Sequence, residues 1–355
     1  MRSVDELLQN EFKNTCCVTA AIHDALWLNG LEINQDLLFM LGLGSFIHTY
    51  EFKYNANTLV GISFSKYNAD TEMLSSLGVN YDSVEGPDFD EYIKSVTPVV
   101  GRRTSMSDLN GYNNKVNFGY VHTEIFLRFE NDMYLTRGMG DTGGSLYANR
   151  PKNLVDKARY GTVVPFSPEG FAYRIDTDMK QHEIEEAARK RIRTVITKIK
   201  DSYDVLKSPE IMKTFYGEDM YNYDGAACFG KITDFMRQSF ELYKERQISK
   251  TNLVVNLHTI RRGIMPILST GDFVRTEICD SLAYAAGYMK NSSLNDAANI
   301  LDKSKKYWIE LGKALYNPRE HLEDTAVDGF KSTLLDYFDY VYKIELEAVN
   351  AIKVS

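Results

Sequence analysis

Two patterns of hydrophobic and polar positions follow each other along the chain. In residues 1–150, short segments with alternating apolar and polar residues stand between brief helical patterns, which is typical of strands with one buried face. From about Asp178 onward, apolar residues recur every three or four positions, which predicts helices. We therefore predict an α+β protein whose second part is all-helical.

The pattern also gives approximate bounds for the elements. The predicted helices of the first part are Cys17–Asn29, Gln35–Leu41, Asp70–Leu77 and Phe89–Ser95, and its predicted strands are Phe46–Tyr54, Leu59–Phe64, Val79–Asp82, Val99–Gly101, Thr123–Phe129 and Met133–Thr136. The predicted helices of the second part are His182–Asp201, Ala226–Gln247, Leu253–Leu268, Gly271–Met289, Asn295–Tyr316 and Pro318–Ala351. Prolines, which interrupt helices and sheets, stand between the two parts at Pro151, Pro165 and Pro168. The predicted organisation is a lobe over residues 1–150, a crossover over 151–177 and an all-helical lobe over 178–355.

The sequence predicts one β-hairpin together with the pairing of its residues. The alternating segment Thr123–Phe129 is followed by Asn131-Asp132, a pair typical of two-residue turns, and by a return strand from Met133. Uniform pairing outward from this turn places His122 opposite Asp141. A bulge at one of the nearby glycines would shift that register.

The composition limits which kinds of binding partner and which cellular compartment are expected. The formal net charge is −8, which argues against nucleic acid, because phosphate binding needs a large basic surface. No apolar run reaches the roughly 18 residues of a membrane span, so no membrane association is predicted. The four cysteines, at positions 16, 17, 228 and 279, show neither metal-ligand nor disulfide spacing. We expect free thiols, a cytoplasmic protein, and no bound metal or cofactor.

A cysteine at the start of a predicted helix is the sharpest chemical feature. Unpaired N–H groups and the helix dipole lower the pKa of a thiol at that position, and the thiolate is the nucleophilic form. Cys17 stands there, with Cys16 as the alternative. Because free cysteines are often simply buried, the assignment depends on partners.

A nucleophilic cysteine needs a base, and the base needs a group that orients it. Among the six histidines, His122 begins a predicted strand, and Asp141 is the carboxylate that the predicted register places across from it. The sequence therefore predicts a catalytic set of Cys17, His122 and Asp141.

These residues carry a resemblance to known families. The segment CVTAAI (17–22), with Gly30 thirteen positions after Cys17, is similar to the opening of papain-like bacteriocin-processing cysteine peptidases. More of the chain resembles the butirosin biosynthesis protein H family. That resemblance is carried by the Cys17 helix, LFMLGLGSF (38–46), the His122 strand, NYDGAACFGKITDF (222–235), GDFVR (271–275) and KYWIEL (306–311). It implies a papain-like N-terminal lobe joined to a helical C-terminal lobe.

The resemblance further implies an acyltransferase of antibiotic biosynthesis. The donor would be an acyl carrier protein thioester, on 4′-phosphopantetheine, that carries a γ-glutamyl-4-amino-2-hydroxybutyryl type of group. The acceptor would be an amine of an aminoglycoside such as ribostamycin. Cys17 would be the nucleophile, His122 the base and Asp141 its orienting acid. The chain departs from the peptidases at Cys16, where they often carry Asp, and in lacking a clear counterpart of their oxyanion-hole Gln, near which stand Gln9, Asn10, Glu11 and Asn14.

Other interpretations of the function and of several segments are also considered. One alternative is a cysteine peptidase or amide hydrolase, and another is a non-catalytic binder of a cationic small molecule. The basic run Arg189-Lys190-Arg191, with Arg193, Lys198 and Lys200, is either a solvated helix face or a docking surface for an acidic carrier protein. Glu124, Asp224 and the tyrosines of YGEDMYNYD (216–224) are candidate contacts for an amine, or parts of an interhelical loop. The pair Gly42-x-Gly44 lacks the remainder of a phosphate-loop pattern.

Overall fold

The computed structural model divides the chain into two compact units. They are Met1–Gly42 with Tyr67–Arg191, and Leu43–Lys66 with Ile192–Ser355. The residues that the structure describes are 2–12, 16–54, 57–64, 68–86, 89–96, 98–103, 117–118, 122–139, 145–161, 163–164, 168–204, 208–214, 217–264, 272–322 and 326–354. Within these ranges, no helix combines the length and the apolar character needed to span a membrane.

The elements are numbered here in chain order. They are α1 (Val4–Leu8), α2 (Cys17–Leu28), α3 (Gln35–Gly42), β1 (His48–Tyr54), β2 (Asn57–Ser63), α4 (Ala69–Ser76), β3 (Tyr81–Val84), α5 (Phe89–Val96), β4 (Val99–Arg103), β5 (Asn117–Phe118), β6 (His122–Glu130), β7 (Met133–Met139), β8 (Ser145–Pro151), α6 (Lys152–Arg159), β9 (Val163–Val164), β10 (Ala172–Ile175), α7 (Gln181–Asp204), β11 (Glu210–Lys213), β12 (Asp219–Asp224), α8 (Ala226–Lys244), α9 (Lys250–Ile264), α10 (Arg275–Met289), α11 (Ser293–Asp302), α12 (Lys305–Ala314) and α13 (Val327–Ala351).

The first unit is built around a six-stranded antiparallel sheet. Its strand order is β3-β10-β4-β6-β7-β8, and β5 and β9 form a separate parallel pair. One face of this sheet carries an apolar core in which Phe126 of β6 packs against Phe89 of α5 and Tyr134 of β7. Helix α2 also packs against β6 and β7.

The second unit combines a four-stranded sheet with helices. Its strand order is β11-β12-β1-β2, and all three strand pairs are antiparallel. Helix α9 packs along β2, where Thr259 donates a hydrogen bond to the Val60 carbonyl and Gly263 lies directly against Ile62. A side chain at Gly263 would collide with that strand, since an added Cβ would stand 2.2 Å from the Ile62 carbonyl oxygen.

The α+β class and a largely helical second part are confirmed, but the predicted boundaries differ from the observed units. Strands β1 and β2, predicted within the first lobe, belong to the second unit because β1 pairs with β12. The second part is therefore not all-helical. Residues 151–177 are not a simple crossover either, since β10 lies between β3 and β4 in the first sheet. Periodicity predicts elements, but hydrogen bonds between distant segments decide which sheet a strand joins.

The predicted hairpin forms, but its first strand contains a bulge that was not predicted. Asn131 and Asp132 both have positive φ, as a type I′ turn requires, and pairing runs from Glu130↔Met133 to Arg128↔Leu135 as predicted. The register then shifts at Leu127, so that Phe126 pairs with Thr136 and Ile125 with Arg137. The uniform register that placed His122 opposite Asp141 therefore does not hold beyond Arg128.

A buried charge network fixes α2 on the first sheet. Arg137 of β7 is 1% exposed, and its Nε lies 2.8 Å from Oδ2 of Asp24 in α2. Its Nη1 donates to the Leu7 carbonyl oxygen at 2.5 Å and to the Tyr147 hydroxyl at 2.7 Å. His23 Nδ1 lies 3.0 Å from the other Asp24 oxygen. Helices α1 and α2 and strands β7 and β8 therefore all meet at one guanidinium.

We expect Arg137→Met to be strongly destabilising, because it leaves the buried Asp24 carboxylate without its guanidinium partner. The expected loss in the free energy of unfolding, measured by urea denaturation, is about 3–5 kcal/mol. Arg128→Met is the matched control, since Arg128 pairs with Asp5 at the surface, and that variant should lose less than about 1 kcal/mol. Equal losses in both variants would contradict a special role for the Arg137 network.

Candidate active site

The two adjacent cysteines at the start of α2 have different surroundings. Cys16 is the N-cap: its Sγ accepts a hydrogen bond from the Thr19 backbone N–H, and its own N–H donates to the Thr19 hydroxyl. Burial raises the pKa of the Cys16 thiol to about 12. Cys16 therefore caps the helix as a protonated thiol.

Cys17 is the first residue of α2 and is half-buried. At this position the N–H groups and the dipole of a helix favour a negatively charged sulfur. The other three cysteines are buried, and burial raises the thiol pKa of each, to about 12 for Cys16 and Cys279 and well above its usual value for Cys228. Cys17 is therefore the nucleophile candidate among the four.

Two contacts establish the direction in which α2 crosses the sheet. Asp24 meets Arg137, which is opposite Ile125 of β6. Five residues later, Asn29 donates to the carbonyl oxygen of Ile175, which lies past the Phe126 level of the sheet. The helix therefore starts near the end of the sheet at which β6 begins.

The same end of the sheet carries His122, the first residue of β6. From Asp24 back to Cys17 the helix extends about 10 Å, at 1.5 Å per residue. From Ile125 back to His122 the strand also extends about 10 Å. The structure thus brings the start of α2 and the start of β6 to one end of the first unit.

The imidazole of His122 lies on the sheet face away from α2. Arg137 and Gly138 are consecutive on β7, so their Cβ directions are opposite, and Arg137 faces α2. A Cβ built on Gly138 would stand 3.8 Å from His122 Nε2 and 3.9 Å from Glu124 Oε2. The His122 ring therefore shares its face with the Glu124 carboxylate, and its route to Cys17 runs around the end of β6.

The Glu124 carboxylate lies beside His122, which was not predicted from the sequence. It is buried, and Arg150 Nε lies 3.3 Å from its Oε2. Strand periodicity could have predicted that Glu124 lies near His122, because residues two apart on a strand share a face. Asp141, the predicted orienting acid, lies outside the described residues, as does Asn14.

The remaining predicted residues lie elsewhere in the chain or serve other contacts. The Asn10 side-chain amide donates to the Glu6 carbonyl oxygen and so caps α1. Tyr223 and Asp224 belong to β12, not to an interhelical loop. Tyr223 donates to Glu51, and burial, followed by that carboxylate, raises the pKa of its hydroxyl. Within the described ranges, no group of three or more His, Cys, Asp or Glu side chains is arranged to hold a metal ion.

Comparison with known proteins leaves the family open. No protein-family model matches the chain, and no curated protein matches it. Any function therefore has to be argued from the residues and their geometry.

Selective alkylation tests the assignment of Cys17. A raised pKa means that a thiol stays protonated at neutral pH and ionises only as the pH approaches the raised value, about 12 for Cys16 and Cys279. Iodoacetamide at neutral pH should therefore label Cys17 alone in the folded protein, as read by peptide mass spectrometry. The urea-unfolded chain, the control, should label at all four positions. Labelling of Cys16 as fast as Cys17 in the folded state would contradict the assignment.

Proposed function

We propose that the chain is a cysteine-dependent acyltransferase that transfers an aminoacyl group from a carrier-protein thioester to the amine of an aminoglycoside-type acceptor. The observation that carries this proposal is the half-buried thiol of Cys17 at the start of α2, at the end of the sheet where His122 begins β6. The classes of donor and acceptor come from the resemblance to the butirosin biosynthesis protein H family.

In the first half-reaction, Cys17 Sγ attacks the thioester carbonyl of the donor. The bond between that carbonyl and the phosphopantetheine sulfur breaks, and the leaving thiolate takes the proton that His122 received from Cys17. The α2 N-terminus favours the thiolate before attack. The His122 ring lies on the sheet face away from α2, so this step requires the ring to turn around the end of β6 towards Cys17.

In the second half-reaction, the acceptor amine attacks the acyl-Cys17 carbonyl. His122 takes the proton of the amine, the C–S bond breaks, and Cys17 Sγ leaves as the thiolate. Asp141 remains the proposed orienting acid for His122, and Glu124 is the alternative. Water competes with the amine at this step, and hydrolysis would make the protein an amide hydrolase or peptidase on the same residues.

We expect intact-mass spectrometry after incubation with acylated carrier protein to show one acyl group on the chain, located at Cys17. Cys17→Ser should lose that adduct and at least about 1,000-fold in turnover, because an alcohol at this position lacks the ionised form of the thiol. Cys16→Ser is the matched control, and it should keep the adduct because serine also caps helices.

Three outcomes would contradict this proposal. They are an adduct on Cys16 in place of Cys17, full turnover in Cys17→Ser, and release of free acid at the same rate with and without an amine acceptor. The last result would favour the hydrolase. Binding of an amine without any turnover in the native protein would favour the non-catalytic binder.

The basic run on α7 supplies a candidate surface for the carrier protein. Arg191 is half-buried and donates to the Leu41 carbonyl oxygen, and Lys200 donates to the Ile352 carbonyl oxygen. The exposed members are Arg189, Lys190, Arg193 and Lys198. At about 100° per residue, the first three lie within about 100° of one another around the helix, and Lys198 lies on the side opposite Arg189.

Charge reversal tests this surface. Arg189→Glu with Lys190→Glu should raise the KM for the acylated carrier several-fold and leave turnover of a small thioester unchanged, because charges at the edge of an interface act mainly on association. Lys198→Glu is the control, since Lys198 lies opposite Arg189 and about 12 Å further along the helix than Lys190. An equal effect on both donors, or the same effect from Lys198→Glu, would refute docking at this surface.

A further inference from the structure

One side of helix α9 collects three cationic side chains near its C-terminus. His258, Arg261 and Arg262 are three and four positions apart, so they are neighbours on the surface of the helix. All three are half-buried. Thr259 and Gly263, which lie against β2, are on a different side of α9. We call His258, Arg261 and Arg262 the α9 basic face.

The charges of this face act on one another without an acidic partner at two of the three positions. Burial, followed by the charges of Arg261 and Arg262, lowers the pKa of His258. Burial also lowers the pKa of Arg261, an effect that Tyr316 opposes and Arg262 reinforces. Among the described residues, no carboxylate lies within ion-pair distance of His258 or Arg261. Arg262 makes a further interaction and contributes its charge to the face.

The guanidinium of Arg261 is held by an aromatic ring and lacks one acceptor. Its Cζ lies 4.4 Å from the centre of the Tyr316 ring, a distance typical of cation–π contacts. Its Nε is buried and has no hydrogen-bond acceptor in the part of the chain that the structure describes. Native proteins rarely leave buried donors unpaired, because their desolvation is then uncompensated. Tyr316 is 67% exposed, so an acceptor from solvent can approach Arg261 beside its ring.

The end of α9 explains only part of this arrangement. Arg261 and Arg262 stand in the last turn of the helix, where the dipole stabilises cations. That interaction requires neither the burial of the Arg261 Nε nor a third basic side chain one turn earlier, at His258. Like charges at this spacing repel each other, which an anion bound between them would offset.

We propose that the α9 basic face binds the phosphate group of a small organic phosphate. A phosphate monoester carries about two negative charges and three terminal oxygens that accept hydrogen bonds, which matches two guanidinium groups and an imidazole. A carboxylate has one charge and two oxygens, and a single guanidinium satisfies it. A nucleic acid would bring many more charges against a chain whose net charge is −8. The proposal uses residues of the second unit only and does not depend on the acyltransferase proposal.

Calorimetric titration of the full chain, in a buffer without phosphate, tests the class of ligand. The probes are adenosine monophosphate and inorganic phosphate, with adenosine and acetate as controls. At least one of the two phosphates should bind, whereas adenosine, which has no charge, and acetate, which has one, should not. Cys17→Ser should bind like the native chain, which separates this site from the proposed reaction.

Arg261→Gln tests the guanidinium that lacks an acceptor. This variant should weaken binding at least about tenfold, because it removes a charged donor to the phosphate. Arg237→Gln is the matched control, since Arg237 is an exposed arginine of the same unit that already pairs with Asp234, and it should bind normally. His258→Gln removes the imidazole and should weaken binding several-fold.

Circular dichroism establishes that each variant folds, and if Arg261→Gln does not fold, His258→Gln carries the test. Absence of binding by both phosphates would overturn the proposal and leave the two arginines as cations that complement the end of α9. Equal binding of adenosine and adenosine monophosphate would also overturn it. The same holds for native affinity in the folded Arg261→Gln or His258→Gln variant, and for an equal loss in Arg237→Gln.

Discussion

The buried guanidinium of Arg137 is the constraint on which the first unit depends. It is ion-paired with Asp24 of α2 and donates to the Leu7 carbonyl of α1 and to Tyr147 of β8, so that helices and strands are oriented by one charge that must be paired. Because Asp24 can meet Arg137 only in one rotation of α2, the network also fixes where that helix begins. The position of Cys17 at the end of the sheet is therefore a consequence of electrostatics deep beneath α2.

The sequence predicted most helices and strands of the fold, and it failed where pairing is long-range. The turn Asn131-Asp132 was predictable because positive φ at two successive positions has a local chemical signature. The bulge at Leu127 was not, since Ile125, Phe126 and Leu127 are consecutive apolar residues and an extra residue among them changes no local pattern. The pairing of β1 with β12 joins segments that no local rule connects.

The candidate site was predictable in its local part only. A cysteine at a helix start is visible in sequence, but which of Cys16 and Cys17 caps the helix depends on the geometry around Thr19. The Asp24–Arg137 pair was missed, although a charged residue inside an apolar helix stripe is itself a signal of a buried partner. That partner comes from a distant strand, so it could be expected but not named.

The rule applied to His122 describes His48 instead. A carboxylate directly across a strand pair from a strand-initial histidine should orient the imidazole, and Asp224 does so at 2.6 Å. At His122 the bulge breaks the register on which the same argument relied. Cys17 lies at the partial positive charge of a helix terminus, whereas the His48 ring is oriented by the full charge of the Asp224 carboxylate.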